Sequence, residues 1–256
     1  DYWILGGIYR PVYLEATPQK HISWTAIDAQ ADGSFRSHVY LEGLTQKEEL
    51  LLEIKDRLDK TVAVKKFTVQ PSDSVKLIEL SVDKPLLWTA ETPHLYHAVF
   101  TLGKKNEEVY EHQERFGFRT VEVREGDGIF VNGVKVKMKG VNRHVWWPET
   151  GRSVNRDIDL NDVKLIKEMN MNAVRCHYPS DRHFLEICDS IGLLYFNELA
   201  GWQTRYDDTT AVRMVKEFIM RDVNHPCVYI WSNGNEGGWN RSIDHLFAEL
   251  DIQKRK

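Results

Sequence analysis

The rhythm of hydrophobic and polar positions changes near residue 118. Before that point, short alternating segments at 21–29, 35–41, 61–69, 75–82 and 97–102 are separated by Gly, Pro, Asp and Asn. Alternation turns one face of each segment toward a core and the other toward water. The region therefore predicts short antiparallel strands folded as a β-sandwich of the immunoglobulin-like kind.

After residue 118 a hairpin comes first: Gly-Ile-Phe-Val, the turn Asn132-Gly133, and then Val134 to Met138 with a period of two. Asn-Gly favours the tight turn whose twist matches that of paired strands. Strands at 136–141, 173–176, 193–196 and 227–231 then alternate with helices at 160–169, 183–191 and 211–223, and a last helix starts at about 243. Leu160, Val163, Ile166 and Met169 make one apolar stripe at helical spacing, and Phe184, Ile187, Cys188 and Ile191 make another. Gly192 stands where a helix C-terminus takes a left-handed residue. Repeated strand–helix units predict a parallel sheet with right-handed crossovers. A closed eight-stranded barrel takes roughly 250 residues, so this shorter region reads as the first half of a (β/α)8 TIM barrel. The expected organisation is multidomain, with residues 17–116 as the sandwich and 117–256 as the half barrel.

Composition narrows the partners. With a formal net charge of −4 the chain has no basic stripe to neutralise a phosphate backbone, so no nucleic acid partner is expected. No apolar run approaches the roughly 18 residues that span a bilayer, so no membrane partner is expected either, and the compartment is left open. Cys176, Cys188 and Cys227 form neither a CxxC pair nor a zinc-type spacing, which predicts buried thiols and no metal. No cofactor is implied.

In a parallel βα architecture the reactive groups stand at the carboxyl ends of the strands. Those ends are polar here: Asn142-Arg143-His144, Arg175-Cys176-His177-Tyr178, Asn197-Glu198 and Asn233-Gly234-Asn235-Glu236. Trp146, Trp147, Trp202 and Trp239 lie close to them in sequence, while Trp231 falls inside a strand and is expected in the core. Carboxylates do acid/base work and aromatic faces stack on sugar rings, so a carbohydrate is the expected substrate class. Arg175 is expected to brace the site by pairing with Glu198 or Glu236.

The stretch from Asp222 through Asn224-His225-Pro226 to Asn233-Gly234-Asn235-Glu236 closely resembles the acid/base signature of glycoside hydrolase family 2. A second stretch, from Asn172 to Pro179 and on through Asp189, Gly192 and Phe196, resembles that family's other signature, with one residue fewer between Arg175 and His177. Asp1-Tyr2-Trp3 through Pro11 is similar to the end of the family's sugar-binding domain. Phe116-Gly117-Phe118-Arg119 is similar to its barrel entrance, and Gly140 to His144 to its first barrel strand. The resemblance runs along essentially the whole chain, in the family's order.

It implies that residues 1–16 are the C-terminal tail of a sugar-binding jelly-roll domain. It also implies hydrolysis of a terminal β-linked sugar, a β-galactoside first, by a retaining mechanism. Glu236 would be the catalytic acid/base, Asn235 a partner for the sugar 2-hydroxyl, and His144, His177 and Asp1 substrate contacts. Glu198, Trp202 and Trp239 are expected at the same sugar site. β-Glucuronidases and β-mannosidases share these signatures, so those specificities stay open.

Retention also needs a nucleophilic carboxylate about 5 Å from the acid/base. The resemblance places it at the end of the seventh barrel strand, so this chain by itself is expected to be inactive. Two alternatives follow: Glu198 serves as the second carboxylate of an inverting site, with carboxyls about 6.5–9.5 Å apart, or the chain is a non-catalytic carbohydrate-binding or scaffold fragment. Large β-galactosidases bind magnesium through an acidic and His cluster after the third strand. Here Leu199-Ala200-Gly201-Trp202-Gln203 follows instead, so no magnesium is expected at that point. Half a barrel exposes sheet edges, which predicts either self-association into a homo-oligomer or a longer natural chain.

Overall fold

A computed structural model describes residues 6–103 and 109–256. Its first seven strands are β1 (His21–Ala29), β2 (Ser34–Glu42), β3 (Glu48–Lys55), β4 (Thr61–Val69), β5 (Val75–Ser81), β6 (Tyr96–Leu102) and β7 (Tyr110–Phe116). They form two antiparallel sheets, ordered β1-β2-β5 and β4-β3-β6-β7. The sheets share a core in which Phe35, Leu50, Leu52, Ile54, Phe100 and Phe116 are buried. Removing each such side chain from water contributes about 1.5–3 kcal/mol.

The alternation pattern does not predict β3 or β7. β3 buries Glu48, Leu50, Leu52 and Ile54 at every second position, as a strand should. That rhythm is masked by Leu51 and by flanking Glu and Lys, which favour helices.

β8 (Val121–Arg124), β9 (Gly128–Val131) and β10 (Val134–Lys135) make a small sheet, and the Asn132-Gly133 turn joins the last two. The ladder stops at Lys135, and the first barrel strand is β11 (Gly140–Arg143) rather than 136–141. Val136 N–H donates to the Ile129 carbonyl at 2.9 Å, so the alternating residues after Lys135 belong to the hairpin side.

Then follow α1 (Arg156–Glu168), β12 (Ala173–Cys176), α2 (Arg182–Ile191), β13 (Leu194–Glu198), α3 (Asp208–Asp222), β14 (Val228–Ser232) and α4 (Asp244–Leu250). The four strands β11-β12-β13-β14 are all parallel, half of an eight-stranded barrel. α1 begins at Arg156 rather than 160, because the Asn155 side chain caps it by accepting from Ile158 N–H, and this acidic first turn precedes the apolar stripe. Gly192 closes α2 with φ 84°, and a Cβ there would lie 2.4 Å from the Ala90 carbonyl oxygen; conformation and packing both require glycine. Cys176, Cys188 and Cys227 are free and buried. Among the described residues no helix is long and apolar enough to cross a membrane.

Sandwich and half barrel are stitched together. The Trp88 indole donates to the Asp189 carbonyl and the Trp24 indole to the Met220 carbonyl, each at 2.8 Å. The Asn224 side chain accepts from Ile27 N–H at 2.8 Å and donates to the Thr25 carbonyl at 2.9 Å, bonding the approach to β14 onto β1. Buried Arg119 donates to the carbonyls of Pro226 and Val228.

Candidate active site

The parallel register brings the strand ends level. Arg143 lies opposite Cys176, Arg175 opposite Phe196, and Glu198 opposite Ser232. The residues that follow each strand therefore surround one cleft of about 680 Å³, lined by His144, His177, Trp202, Arg205, Asn235 and Glu236 among others. That volume lies in the range of small-molecule sites.

Glu198, at the end of β13, has no exposed surface and lies beneath the cleft rather than in its wall. Its Oε2 accepts from Arg175 Nε at 2.9 Å, Arg175 Nη2 at 2.7 Å and Ser232 Oγ at 2.9 Å. Of the two partners expected for Arg175, the structure selects Glu198. The same Nη2 donates to Asn235 Oδ1 at 2.9 Å. Guanidinium only donates, so Asn235 must turn its carbonyl oxygen toward Arg175, which leaves its NH2 group to donate elsewhere. Glu198 thus orients Asn235 through Arg175, across three strands.

His144 and His177 stack with ring centroids 5.0 Å apart and 18° between planes. His177 Nδ1 is 3.4 Å from Glu198 Oε1, an ion-pair distance without hydrogen-bond geometry. Burial first, and the charge of His177 second, lower the His144 pKa from its ordinary value. Around neutral pH His144 is therefore an uncharged imidazole, with one donor and one acceptor nitrogen.

Glu236 follows β14 in the left-handed region, with φ 44°. Its Oε2 accepts the Trp202 indole N–H at 2.6 Å. Around this bond the two loops are fastened by backbone: Asn235 N–H donates to the Gly201 carbonyl at 2.8 Å, and Gln203 N–H to the Glu236 carbonyl at 3.1 Å. Two glycines allow the approach, since a Cβ on Gly238 would lie 2.1 Å from both the Gly201 carbonyl carbon and the Trp202 nitrogen. Gly238→Ala is expected to force these loops apart and destabilise the fold by about 1–3 kcal/mol. Urea unfolding checks this against Gly6→Ala, where nothing lies within 4 Å of the added methyl and no change is expected.

Glu236, Asn235, His144, His177 and Trp202 thus meet at one cleft. Trp239 is 41% exposed and is not among the side chains lining it. Asp1 lies outside the described residues. Thr204, Arg205 and Tyr206 also line the cleft and escaped the sequence reading, because they sit in a loop with no periodic pattern. Asn240 pins that loop, accepting from Arg205 Nη1 at 3.2 Å and donating to the Tyr206 carbonyl at 3.2 Å. Among the described residues no group of three or more His, Cys, Asp or Glu side chains is placed to hold a metal ion.

Comparison with known proteins agrees with this architecture. Residues 121–252 match the TIM barrel domain of glycosyl hydrolases family 2, and residues 19–119 match a second model of glycosyl hydrolases family 2. The chain belongs to glycosyl hydrolase family 2. It is 31% identical over 242 residues to a β-galactosidase of Thermoanaerobacter pseudethanolicus, a match covering 90% of this chain and 32% of that protein. A β-glycosidase from Bacteroides vulgatus has a similar structure, with TM-score 0.83 and 27% identity over 97% of this chain and 34% of that one. A Bacteroides uniformis β-glucuronidase is also similar, with TM-score 0.79 and 26% identity over 89% of this chain and 30% of that one. This chain spans about a third of the length of these relatives.

Proposed function

We propose that this chain carries the acid/base half of a retaining β-glycosidase site for a terminal β-linked sugar, with Glu236 as the acid/base. The observation that supports it most is the placement of the Glu236 carboxylate on the cleft, one oxygen held by Trp202, beside an Asn235 amide oriented through Arg175 and Glu198. Glu236 gives its proton to the glycosidic oxygen as the bond from that oxygen to the anomeric carbon breaks, the electron pair staying on oxygen. A second carboxylate bonds to the anomeric carbon. Glu236 then takes a proton from water, whose oxygen displaces that carboxylate. The nucleophile comes from the other half of the barrel.

In this reading Asn235 donates to the sugar 2-hydroxyl, His144 and His177 bind hydroxyls, and Trp202 offers a ring face. Asp1 belongs to the same contact set. A β-galactoside is the first candidate because the relative of 31% identity is a β-galactosidase. Arg205 on the cleft wall favours a second specificity, a β-glucuronide whose carboxylate it would pair. The domain division near residue 117, with residues 1–16 as the tail of a preceding sugar-binding domain, is part of the same proposal. It is supported by the break between β7 and β8.

The test is a panel of nitrophenyl β-galactoside, β-glucuronide and β-mannoside, given to this chain and to the protein with all eight barrel strands. The full barrel is expected to turn over the galactoside fastest, with retained anomeric configuration, and this chain to turn over none. Inversion, or no turnover by the full barrel, would sink the reading.

A further inference from the structure

We infer that Trp202 is a positioning residue for the acid/base: its indole N–H holds Oε2 of Glu236, so that the proton exchanged with substrate and water is carried on Oε1. The inference rests on Glu236 being the acid/base, and adds which of its oxygens acts and what decides this.

Trp202 Nε1 lies 2.6 Å from Glu236 Oε2. An indole N–H donates and never accepts, so the oxygen facing it must present a lone pair. The carbonyl oxygen of a carboxyl group accepts better than its hydroxyl, so in the acid form the bond favours the proton on Oε1. In the base form Oε1 is the oxygen that receives a proton from water. The indole is itself held in place: Gly201 and Gln203, on either side of it, are bonded to the backbone of Asn235 and Glu236, and Trp202 pairs with Asn235 in a parallel bridge. Glu236 sits at φ 44°, a backbone region that non-glycine residues seldom occupy and that its surroundings must impose. Trp202 is 50% exposed, so the bond forms on the cleft wall, where the leaving group would pass, rather than in the core.

Trp202→Phe keeps a ring and removes the N–H. In the protein with its barrel complete, the loss of kcat/KM on alkyl β-glycosides, whose leaving group needs the Glu236 proton, is expected to exceed the loss on dinitrophenyl β-glycosides by about 10²-fold. The 256-residue chain gives an independent readout. Its Trp202 indole N–H resonance, identified by its absence in Trp202→Phe, is expected to move as the pH is lowered and to stop moving in Glu236→Gln. Equal losses on both substrate classes, or a Trp202 resonance that moves just as before in Glu236→Gln, overturn the inference while leaving the acid/base reading standing. Undiminished hydrolysis of alkyl glycosides by Glu236→Gln would overturn both.

Discussion

Hydrolysis of an alkyl β-glycoside is expected to fall about 10²–10⁴-fold in kcat/KM when Glu236 is replaced by alanine in the protein with its full barrel. The leaving alkoxide then departs without a proton. Dinitrophenyl glycosides lose far less in glycosylation, because their leaving group is stable as an anion. The second step still lacks its base, so the glycosyl-enzyme accumulates. Azide needs no base to attack, and the space left by the carboxylate admits it. Added azide is therefore expected to restore turnover of dinitrophenyl glycosides and to yield a β-glycosyl azide, identified by NMR of the product. A loss of the same size for every leaving group, with no azide product, would show that Glu236 plays another part.

The second large effect concerns stability. Asp189→Ala is expected to cost the fold about 3–5 kcal/mol, because it leaves buried partners without their counter-charge. Asp189 in α2 has no exposed surface; its carboxylate accepts from Cys227 N–H at 3.0 Å and lies 2.6 Å from His225 Nδ1 and 3.4 Å from Arg115 Nη2. It thereby ties α2 to β7 and to the approach of β14. Burial alone would raise the Asp189 pKa, but His225 first, then Arg115 and the Cys227 N–H, outweigh it and hold the carboxyl below its ordinary value. A carboxylate depressed in this way adds stability that is complete above its unfolded value, about 3.9. That stability is lost as the pH falls through the folded value. Urea unfolding at about pH 7 and about pH 3 checks the sign: the gap between native protein and variant should be wide at the first and narrower at the second. A gap that widens toward acid would contradict this assignment.

Much of the barrel half was legible because each element carries its own signal. The apolar stripes locate α1 and α2, Gly192 marks the end of α2, and Asn132-Gly133 marks the hairpin. The misses share a cause. β3 hides among good helix formers, and the extended stretch after Lys135 alternates without pairing in the barrel sheet. Periodicity reports which face is wet and is silent about the hydrogen-bond partner. The site divides in the same way. Polar residues at strand ends single out Glu236, Asn235, His144 and His177, since the parallel architecture fixes where strands end. The bond between Trp202 and Glu236 joins residues in two loops, and Arg205 and Tyr206 reach the cleft through a loop pinned by Asn240. No spacing rule encodes such meetings.

The seam between Arg119, Asn224 and β1 bears on how this architecture can be recombined. Arg119 reaches the carbonyls of Pro226 and Val228 from the linker, and Asn224 grips Thr25 and Ile27 from the barrel side. These contacts sit at the root of the strand whose tip presents Glu236. In a hybrid taking its sandwich from one relative and its barrel from another, the backbone half of each bond is present whatever the side chain, proline at position 27 excepted, so the seam depends on keeping the arginine and the asparagine. Swapping the two modules therefore requires carrying over only the Arg119 and Asn224 side chains, which makes the seam portable between relatives.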